Sequence, residues 1–482
     1  METISQGNYP VTPTIVLQAN AEFSGVGEVI LPGEQNYAAA MSRLFSSEAA
    51  MTRPHCIVRP RTVAEVAAAV RIARDSGQPI TVRSGSHSAL CASDGAVMID
   101  MSAQFGQVVV DGDEALVGGG AMMGSVLEAL GEHSRLIPVG VAKTPGLGLA
   151  LQGGVGHLTR SLGLTLDSIR EVELVTASGS VLRLNEESAG DEADLWWAVR
   201  GCAPNFGIVT SIRVRTFATP VRVYAERLVF PLDALPTFFD LTRELPRSIC
   251  ASAVIGPPPD SFEPVLFVYL VYAGDDSPGI QKAQELTRAL TRSAGTKPLL
   301  QHGDRYFYCD MPAMDVPPLA GFPPTTPLEA PATSPRIFTF KKSPFLNGLD
   351  PAAAKFFINA IRSAPTSLCR IDLQHCGGAM GDVAPDATGF WNRGMQWNCP
   401  IIGAWTDTEK HREACTEWVR QTKRSIGPYV AGTYCVEILP GLPETAAEVR
   451  EAFGANLPRL QKLKRKWDPE RVFRSYYPIE LD

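Results

Sequence analysis

The chain of 482 residues is longer than one compact core usually accommodates, so we expect two or three structural units. Apolar residues make up 45% and charged residues 20%, a balance typical of a folded globular protein rather than a disordered one. The net charge of −7 argues against nucleic acid or an anionic membrane surface as the main partner.

Three further classes are disfavoured by local patterns. No run approaches the ~18 uninterrupted apolar residues of a membrane helix. The N-terminal stretch METISQGNYPVTPTIV lacks a basic region followed by an apolar one, so a secretory signal is not expected. The 10 cysteines are dispersed without a CxxC pair, which favours reduced thiols over a disulfide framework or a zinc ribbon. We therefore expect a cytoplasmic protein without a metal site.

The first half of the chain predicts alternating helices and strands. Thr62 and Glu65 form a capping-box pattern at the start of a helix that Gly77 ends, and residues 79–83 follow as a strand. After a loop rich in Gly and Ser, further elements are expected in chain order: a strand at 97–100, a helix at 123–130, a strand with its turn at 172–179 and a strand at 208–215. This pattern indicates an α+β or α/β fold.

The composition changes after about residue 220, where a second unit is expected to begin. Strands are predicted at 265–271, 370–375, 396–405 and 433–439, with an amphipathic helix at 280–294. A proline-rich stretch at 312–335 predicts an ordered surface loop or lid. One last helix is predicted over 452–468, with Pro469 just after its end.

Two segments rich in small residues are candidates for ligand binding. The first, Arg83-Ser84-Gly85-Ser86-His87-Ser88, directly follows a strand, and its exposed amides could form an anion-binding turn suited to a pyrophosphate. An ordinary polar turn is the alternative. The second, 138–167, is not a Rossmann fingerprint because Leu151 stands where the third glycine is required. No GxxxxGK[ST] occurs, so a phosphate-binding P-loop is excluded as well.

Four stretches taken together resemble a known family. PHCIVRPRTVAEVAAAVRIARDSGQPITVRSGSHS, GLGLALQGGVGHLTRSLGLTLDSI, DLWWAVRGCAPNFGIVTSIRVRT and FGANLPRLQKLKRKWDPERVFR occur in this order along the chain. They resemble the FAD-linked oxidases of the vanillyl-alcohol-oxidase superfamily, in the berberine-bridge-enzyme-like branch. The match covers most of both ends of the chain, and it is weakest over 221–440.

The resemblance implies an α+β fold in several units. These are an N-terminal segment (1–50), a two-part PCMH-type FAD-binding domain (51–220), a substrate domain with an antiparallel sheet covered by helices (221–440), and a C-terminal segment that returns to the FAD-binding domain (441–482).

The resemblance also implies FAD, with His87 bonded covalently to the 8α-methyl carbon of the flavin. Histidine suits this role because its imidazole is neutral and nucleophilic near pH 7, although His87 could instead only hydrogen-bond the cofactor. Ala142 stands where many members of this branch carry a second flavin-linking cysteine, so we predict one covalent bond only. The other implied cofactor-binding residues are Arg83, Ser84, Gly85, Ser86, Ser88, Thr144, Gly146, Gly148, Gly153, Gly154, Gly156, His157, Leu158, Gly207 and Ile208.

The catalytic candidates lie on the predicted strands of the substrate domain. Tyr434 matches the first tyrosine of a Y-x-N-Y pattern that often supplies a base in the family, whereas Glu437 replaces the second. Glu437 could be the base if burial tunes its pKa, or it could be a solvated carboxylate. Strand alternation places Gln396 and Asn398 on one face, opposite Trp397. His375 is a candidate too, although a lone strand histidine is more often structural.

The expected function is an FAD-dependent oxidase acting on a small or medium organic molecule, plausibly in secondary metabolism, with O2 reoxidising the flavin to give H2O2. A sugar or alcohol oxidase and a flavin-binding cyclase that closes a ring without net redox change are the alternatives. We expect a monomer or a homodimer. A catalytically silent flavoprotein is disfavoured by the intact cofactor loops.

Overall fold

The computed structural model describes residues 23, 25–218, 222–258, 263–313, 336–406 and 410–479, and within these ranges three β-sheets organise the chain. The first sheet has four strands, in the order Glu28–Ile30, Cys56–Arg59, Val97–Asp100 and Ile80–Arg83. The outer pair is antiparallel and the other pairs are parallel. Strands at 80–83 and 97–100 therefore form where the sequence predicts them.

The helix Val63–Asp75 connects two strands of the first sheet and confirms the capping pattern. The Thr62 side chain accepts a hydrogen bond from the Glu65 amide at 3.2 Å. Gly77 follows the helix with φ +68°, a conformation that glycine adopts without steric cost. The helix buries Val66 and Val70 against the sheet. Two shorter helices, Gln35–Ser42 and Ser47–Ala50, pack on the same unit.

The second sheet is antiparallel throughout. Its strands, in spatial order, are Val108–Asp111, Glu114–Gly118, Gly207–Arg215, Ile169–Thr176 and Val181–Asn185. A small pair, Arg135–Leu136 with Phe217–Ala218, lies beside it. The helices of this unit are Met123–Glu132, Leu147–Ala150, Thr159–Leu162 and Gly190–Cys202. Both elements predicted at 123–130 and 208–215 are confirmed.

The third sheet has ten antiparallel strands. In spatial order they are Leu300–Tyr306, Val223–Pro231, Val265–Tyr272, Ile249–Gly256, Arg370–His375, Trp397–Asn398, Pro344–Leu346 and Val430–Thr433, with Phe338–Lys342 and Ile401–Trp405 paired off this path. Four helices cover one face: Leu235–Thr242, Ser277–Ser293, Ala354–Arg362 and Arg412–Ser425. The predicted α+β class, with an antiparallel sheet covered by helices, is confirmed.

Three predicted elements differ in the structure. The strand expected at 433–439 ends at Thr433, and Cys435–Glu437 forms one turn of 3-10 helix. The single helix expected over 452–468 is two helices, Thr445–Phe453 and Leu457–Trp467, because Gly454 adopts φ +45° against the Trp391 ring. The strand expected over 396–405 is interrupted before Ile401–Trp405. Residues 314–335 of the predicted proline-rich lid lie outside the described residues.

Two apolar core clusters contain residues from more than one part of the chain and so join the three sheets and the C-terminal segment. The second sheet shares one apolar cluster with the helix-free face of the third sheet and with the two C-terminal helices. Val472 and Phe473, near the C-terminus, belong instead to the core of the first sheet. Among the described residues, every helix is too short or too polar to cross a membrane.

A buried ion pair holds the C-terminal turn in place. Lys464 Nζ lies 2.6 Å from Asp468 Oδ2 and also donates to the carbonyls of Asn205 and Phe473. The Asp468 carboxylate accepts the amides of Val472 and Phe473 at 2.7 and 3.0 Å. Both charges are almost fully buried, so each depends on the other for compensation.

Asp468→Ala is expected to lower the free energy of unfolding by about 3–5 kcal/mol, because it leaves the Lys464 ammonium buried without its counter-charge. Guanidinium titration of wild type and variant measures the change. Glu470→Ala, at an exposed position two residues away, is the matched control and should stay within about 0.5 kcal/mol of wild type. Equal losses in both variants would contradict the assignment.

Candidate active site

A cleft of about 1350 Å³, counting its open mouth, lies where the three sheets approach one another. Its walls come from the end of the strand Ile80–Arg83 with the loop after it, from the loop at 145–152, and from the turn that precedes the strand Gly207–Arg215. Lys341, residues 436–437 and the C-terminal residues Phe473, Tyr476 and Tyr477 complete it. The cleft therefore joins parts of the chain almost 400 residues apart.

The structure brings many of the predicted cofactor residues to this cleft, but not all. Those lining it are Ser84, Gly85, Ser86, His87, Ser88, Gly146, Gly148, Gly207 and Ile208. Those placed behind its wall are Arg83, Thr144, Gly153, Gly154, Gly156, His157 and Leu158. The second group shapes or supports the loops rather than forming the surface of the cleft.

The two loops approach each other closely at two glycines. A Cβ atom at Gly85 would collide with the backbone of Thr144 and Gly146, and one at Gly146 would collide with Ser84. Glycine is thus required at both positions by close approach rather than by backbone dihedral angles. The contact sets the distance between the strand loop and the opposite wall of the cleft.

The strand loop presents unused hydrogen-bond donors to the cleft. The amides of Gly85, Ser86 and His87 donate to no acceptor among the described residues. The Ser84 hydroxyl oxygen is buried without a hydrogen-bond partner in the same part of the structure. Because buried polar groups are rarely left unpaired, these donors fit an anionic ligand such as a pyrophosphate.

His87 is held on two sides. Its Nε2 lies 2.6 Å from Thr144 Oγ1, and its ring stacks on Phe45 with centroids 3.6 Å apart. We assign the ring hydrogen to Nε2, donating to Thr144, because no described residue hydrogen-bonds Nδ1. Burial, reinforced by the charge of Lys341, lowers the pKa of His87 to about 3. The imidazole is therefore neutral near pH 7, with a free lone pair on Nδ1.

The residue before His87 is strained and tied to the N-terminal region. Ser86 adopts φ +54°, which costs a non-glycine residue roughly 1 kcal/mol or more. Its hydroxyl accepts the Phe45 amide at 3.0 Å and its carbonyl accepts the Ser46 amide at 3.0 Å. These bonds place Phe45 against the His87 ring.

Arg83 acts from behind the loop. Its guanidinium lies 3.0 Å from the buried Asp100 carboxylate, which Arg59 also contacts at 3.0 Å. Since Asp100 ends the adjacent strand, this ion pair fastens the point where the strand becomes the loop.

The second glycine loop is a supporting structure. Gly153 and Gly154 adopt φ +132° and +80°, and the Gly154 amide donates to Tyr434 Oη at 2.8 Å. A Cβ at Gly156 would collide with the Val139 carbonyl. His157 is buried with Nδ1 unpaired among the described residues, and burial lowers its pKa to about 4. Leu158 packs in the apolar core beside it.

Of the five catalytic candidates, Glu437 lines the cleft and Tyr434 does not. Tyr434 is buried between Phe345 and Phe390, with its hydroxyl on the Gly154 amide, and burial raises its pKa. The chain turns into a 3-10 helix after this residue, so the predicted strand alternation is lost and Tyr434 points into the core. Its position does not suit proton transfer in the cleft.

His375 also faces away from the cleft. Its ring stacks on Trp397 at 4.3 Å, its Nε2 lies 3.2 Å from Arg160, and its Nδ1 accepts the Ala251 amide. Burial, reinforced by the charge of Arg160, holds its pKa well below 6.5. These contacts favour the structural interpretation of His375 over the catalytic one.

Asn398 and Gln396 lie on neither the cleft wall nor the helix-side core. Asn398 accepts from Ser343 Oγ at 2.8 Å and donates to Gln374 Oε1 at 2.7 Å, on the face opposite Trp397. The predicted opposition of Asn398 and Trp397 is confirmed. Gln396 lies just outside the short strand, and its backbone N–H donates to Asn347 Oδ1 and to the Leu346 carbonyl.

Several residues of the site were missed at the level of sequence. Lys341 lines the cleft, and period-2 alternation separates it from Lys342, which is buried 2.7 Å from Glu448. Phe45 stacks on His87 from outside every motif. Tyr477 is buried but also lines the cleft, and it donates to Gln152 Oε1 at 2.8 Å.

Comparison with known proteins agrees with this geometry. Residues 54–185 match the family described as FAD binding domain, and residues 444–480 match the one described as berberine and berberine like. A curated relative, (R)-6-hydroxynicotine oxidase of Paenarthrobacter nicotinovorans, is 32% identical over 48% of this chain and 51% of its own length, so the match spans about half of that protein. An FAD-linked oxidoreductase of Dictyostelium discoideum is 23% identical over 93% of each chain.

Solved structures show the same fold. The BBE-like 1 protein of Physcomitrella patens superposes with a TM-score of 0.83 at 24% identity, over 97% of this chain and 100% of that one. A chitooligosaccharide oxidase superposes with a TM-score of 0.80 at 22% identity, over 96% and 99% of the two chains.

The cleft, its anion-binding turn and these matches define an FAD-dependent oxidoreductase. Within that class, residues 54–185 are similar to the FAD binding domain family and residues 444–480 to the berberine and berberine like family, and the fold is that of the BBE-like 1 protein. The residues present fit FAD, because the unpaired amides of the strand loop and the buried Ser84 hydroxyl can bind its pyrophosphate. The neutral imidazole of His87 lies beside them.

Acid should destabilise the protein through its buried histidines. The pKa values of His87, His157 and His375 in the folded state lie below the usual 6.5, so the unfolded chain binds protons that the folded chain does not. Their stabilising contribution is complete above about pH 6.5 and is lost as the pH falls toward 4, by up to about 4 kcal/mol per pH unit for the three groups.

Urea titrations between pH 7 and 4.5 measure that slope. His157→Asn should reduce it by about a third, whereas His133→Asn, at an exposed position, should leave it unchanged. A slope that is the same in all three proteins would contradict this account.

Proposed function

We propose that the protein is an oxidase of small or medium organic molecules. When bound, FAD supplies the acceptor for a hydride from a substrate C–H bond, and O2 reoxidises it with release of H2O2. The observation that carries the proposal is the pairing, in one cleft, of an unsatisfied anion-binding turn with an oriented neutral imidazole. The names of two similar proteins, (R)-6-hydroxynicotine oxidase and chitooligosaccharide oxidase, agree with oxidase chemistry.

The chain's own residues divide the work of holding the cofactor. The amides of Gly85, Ser86 and His87, with the Ser84 hydroxyl, would bind the pyrophosphate. Nδ1 of His87 would form the covalent bond to the flavin, because Nε2 is engaged by Thr144. A second covalent bond has no nucleophile at Ala142, so we propose attachment through His87 alone.

The substrate is proposed to be a polar molecule whose oxidised carbon carries nitrogen or oxygen. The helix-free face of the third sheet supports this class, since Ser343, Gln374 and Asn398 form a hydrogen-bonded polar row on it. We further propose a role in secondary metabolism in the cytoplasm, as a monomer or a homodimer.

A redox-neutral cyclase is the second candidate. The observation that favours it is the position of Tyr434, which lies in the core instead of at the cleft, so the tyrosine of the family pattern is not available as a base. A sugar or alcohol oxidase falls within the first proposal and differs only in its substrate.

Anaerobic mixing separates these functions. The holoenzyme is mixed without O2 with (R)-6-hydroxynicotine, glucose and chitooligosaccharides as probes, and the flavin absorbance is followed. Bleaching by a probe, with H2O2 appearing when air is admitted, supports the oxidase. Product formation by an organic probe without bleaching at any stage would support the cyclase and contradict the oxidase.

His87→Ala is expected to abolish covalent attachment while FAD still binds, because the anion-binding amides belong to the backbone. In-gel flavin fluorescence and mass spectrometry of the denatured protein measure the attached fraction. His133→Ala, the exposed control, should keep the wild-type mass. A flavin that stays attached in His87→Ala would contradict attachment through this residue alone.

Thr144→Val is expected to slow covalent attachment by about tenfold, since the tautomer with a free Nδ1 lone pair loses the acceptor that stabilises it. The measurement is the time course of attachment after FAD is added to apoprotein. Thr144→Ser retains the hydroxyl and should restore the rate. Equal rates for the Val and Ser variants would show that the Thr144 hydroxyl does not orient His87.

A further inference from the structure

The helix-free face of the third sheet carries charges that the sequence did not single out. The strand Arg370–His375 alternates in burial, with Ile371 and Leu373 in the helix-side core. Arg370, Asp372 and Gln374 therefore share the opposite face. This is the face on which Gln374 bonds Asn398.

That face points toward the cleft. Lys341 pairs with Ile402 across one strand, and Ile402 pairs with Arg370 across the next, so Lys341 and Arg370 lie in one row of the sheet. Lys341 lines the cleft beside His87. The carboxylate of Asp372 lies close enough to Lys341 for the ammonium charge to act on it.

Asp372 is deep in the molecule and only half bonded. Its side chain is 15% exposed, and Oδ1 accepts from Arg370 Nε at 3.1 Å. No donor to Oδ2 occurs among the described residues. Burial raises the pKa of this carboxyl, against the opposing effects of Arg370 and Lys341. One oxygen is thus fixed while the other is free to accept a proton.

The carboxylate of Glu437 is less firmly held than that of Asp372. It lines the cleft, but within the described part of the chain nothing hydrogen-bonds its carboxylate, so its position is not fixed. Asn398 and Ser343 bond each other and hold no group that ionises near pH 7. Asp372 lies outside the residues that line the cleft, on the strand face that it shares with Arg370, and Arg370 orients its carboxylate.

We propose that Asp372 is the proton acceptor of the reaction, with Arg370 and Lys341 as its positioning residues. The inference rests on the proposed function and names the missing base. As the substrate C–H bond breaks, its hydride passes to the oxidised cofactor, and the proton of the neighbouring O–H or N–H passes to Oδ2 of Asp372. A C=O or C=N bond forms in the product, and the new carboxylic acid returns its proton to water.

The first test follows flavin reduction by the bleaching probe in stopped flow. Asp372→Asn should lower the rate of reduction by about 10²- to 10⁴-fold, the usual contribution of a general base, with the attached FAD unchanged. Asp372→Glu should recover part of the rate. Asp382→Asn, an exposed position on the protein surface, should match wild type. A large loss in Glu437→Gln with none in Asp372→Asn would overturn the proposal.

The dependence of the flavin reduction rate on pH would not change if Asp372 had only a structural role. Among the described residues, the titratable groups that interact electrostatically with Asp372 are Arg370 on its own strand, Lys341 at the cleft and the Cys399 thiol. The reduction rate of wild type should fall as the pH falls through the raised pKa of Asp372, because the base must be ionised. Lys341→Met should move this limb to higher pH, and Asp372→Asn should lose it.

A second test needs no substrate. Sulfite, an anion that adds at flavin N5, is titrated into holoenzyme, and the loss of the flavin band gives its affinity. The proposal requires the Asp372 carboxylate to lie near N5 of the bound flavin, so removing its negative charge in Asp372→Asn should tighten sulfite binding by about tenfold, and the difference should vanish at low pH. Equal affinities at every pH would overturn the proposal even if no probe reduces the flavin.

Failure of the two proposals can be told apart. Protein without bound flavin, or without bleaching by any probe, counts against the oxidase. A flavin that is attached and reduced normally in Asp372→Asn counts against Asp372 alone.

Discussion

The contact between the backbones at Gly85 and Gly146 is the constraint on which the site depends. It brings a loop from the mixed first sheet against the loop at 144–152, with no room for a side chain at either glycine. The amides of the first loop are left facing the cleft, and His87 comes within hydrogen-bond distance of Thr144 on the second. An added methyl group at either glycine would separate the halves by more than a hydrogen bond can tolerate.

A buried arginine fixes the third sheet relative to those loops. Arg160, on the helix Thr159–Leu162, donates to the carbonyls of Ile249 and Cys376 at 2.8 and 2.7 Å, and to that of Leu245 at 2.7 Å. Its partners are neutral acceptors, so burial lowers its pKa without a compensating anion. The five donors of a guanidinium can satisfy several strand ends at once, which is why one residue can join the flavin-side loops to the sheet above them.

Local features of the sequence predicted much of the fold. The Thr62 cap, the strand before Ser84 and the opposition of Asn398 to Trp397 depend on neighbours within a few residues, and all are present. The failures are long-range. Tyr434 turned inward because its partner, the Gly154 amide, lies 280 positions away. Contacts between residues far apart in the sequence bring the site residues together, and the periodicity of a single segment does not predict such contacts. The alternation within Arg370–His375 does separate the polar face of that strand from its apolar face.

Phe45 lies outside the segment that matches the FAD binding domain, which begins at residue 54, yet its ring covers the imidazole at the centre of the site. The adjoining Glu48 carboxylate accepts the Thr339 amide, on the strand that carries Lys341. The segment that matches the FAD binding domain therefore begins later in the chain than the set of residues that contact His87. A chimera that exchanges the FAD binding domain between relatives at residue 54 would omit Phe45 and Glu48. A chimera whose exchanged segment begins before residue 45 would include both residues and their contacts with His87 and Thr339.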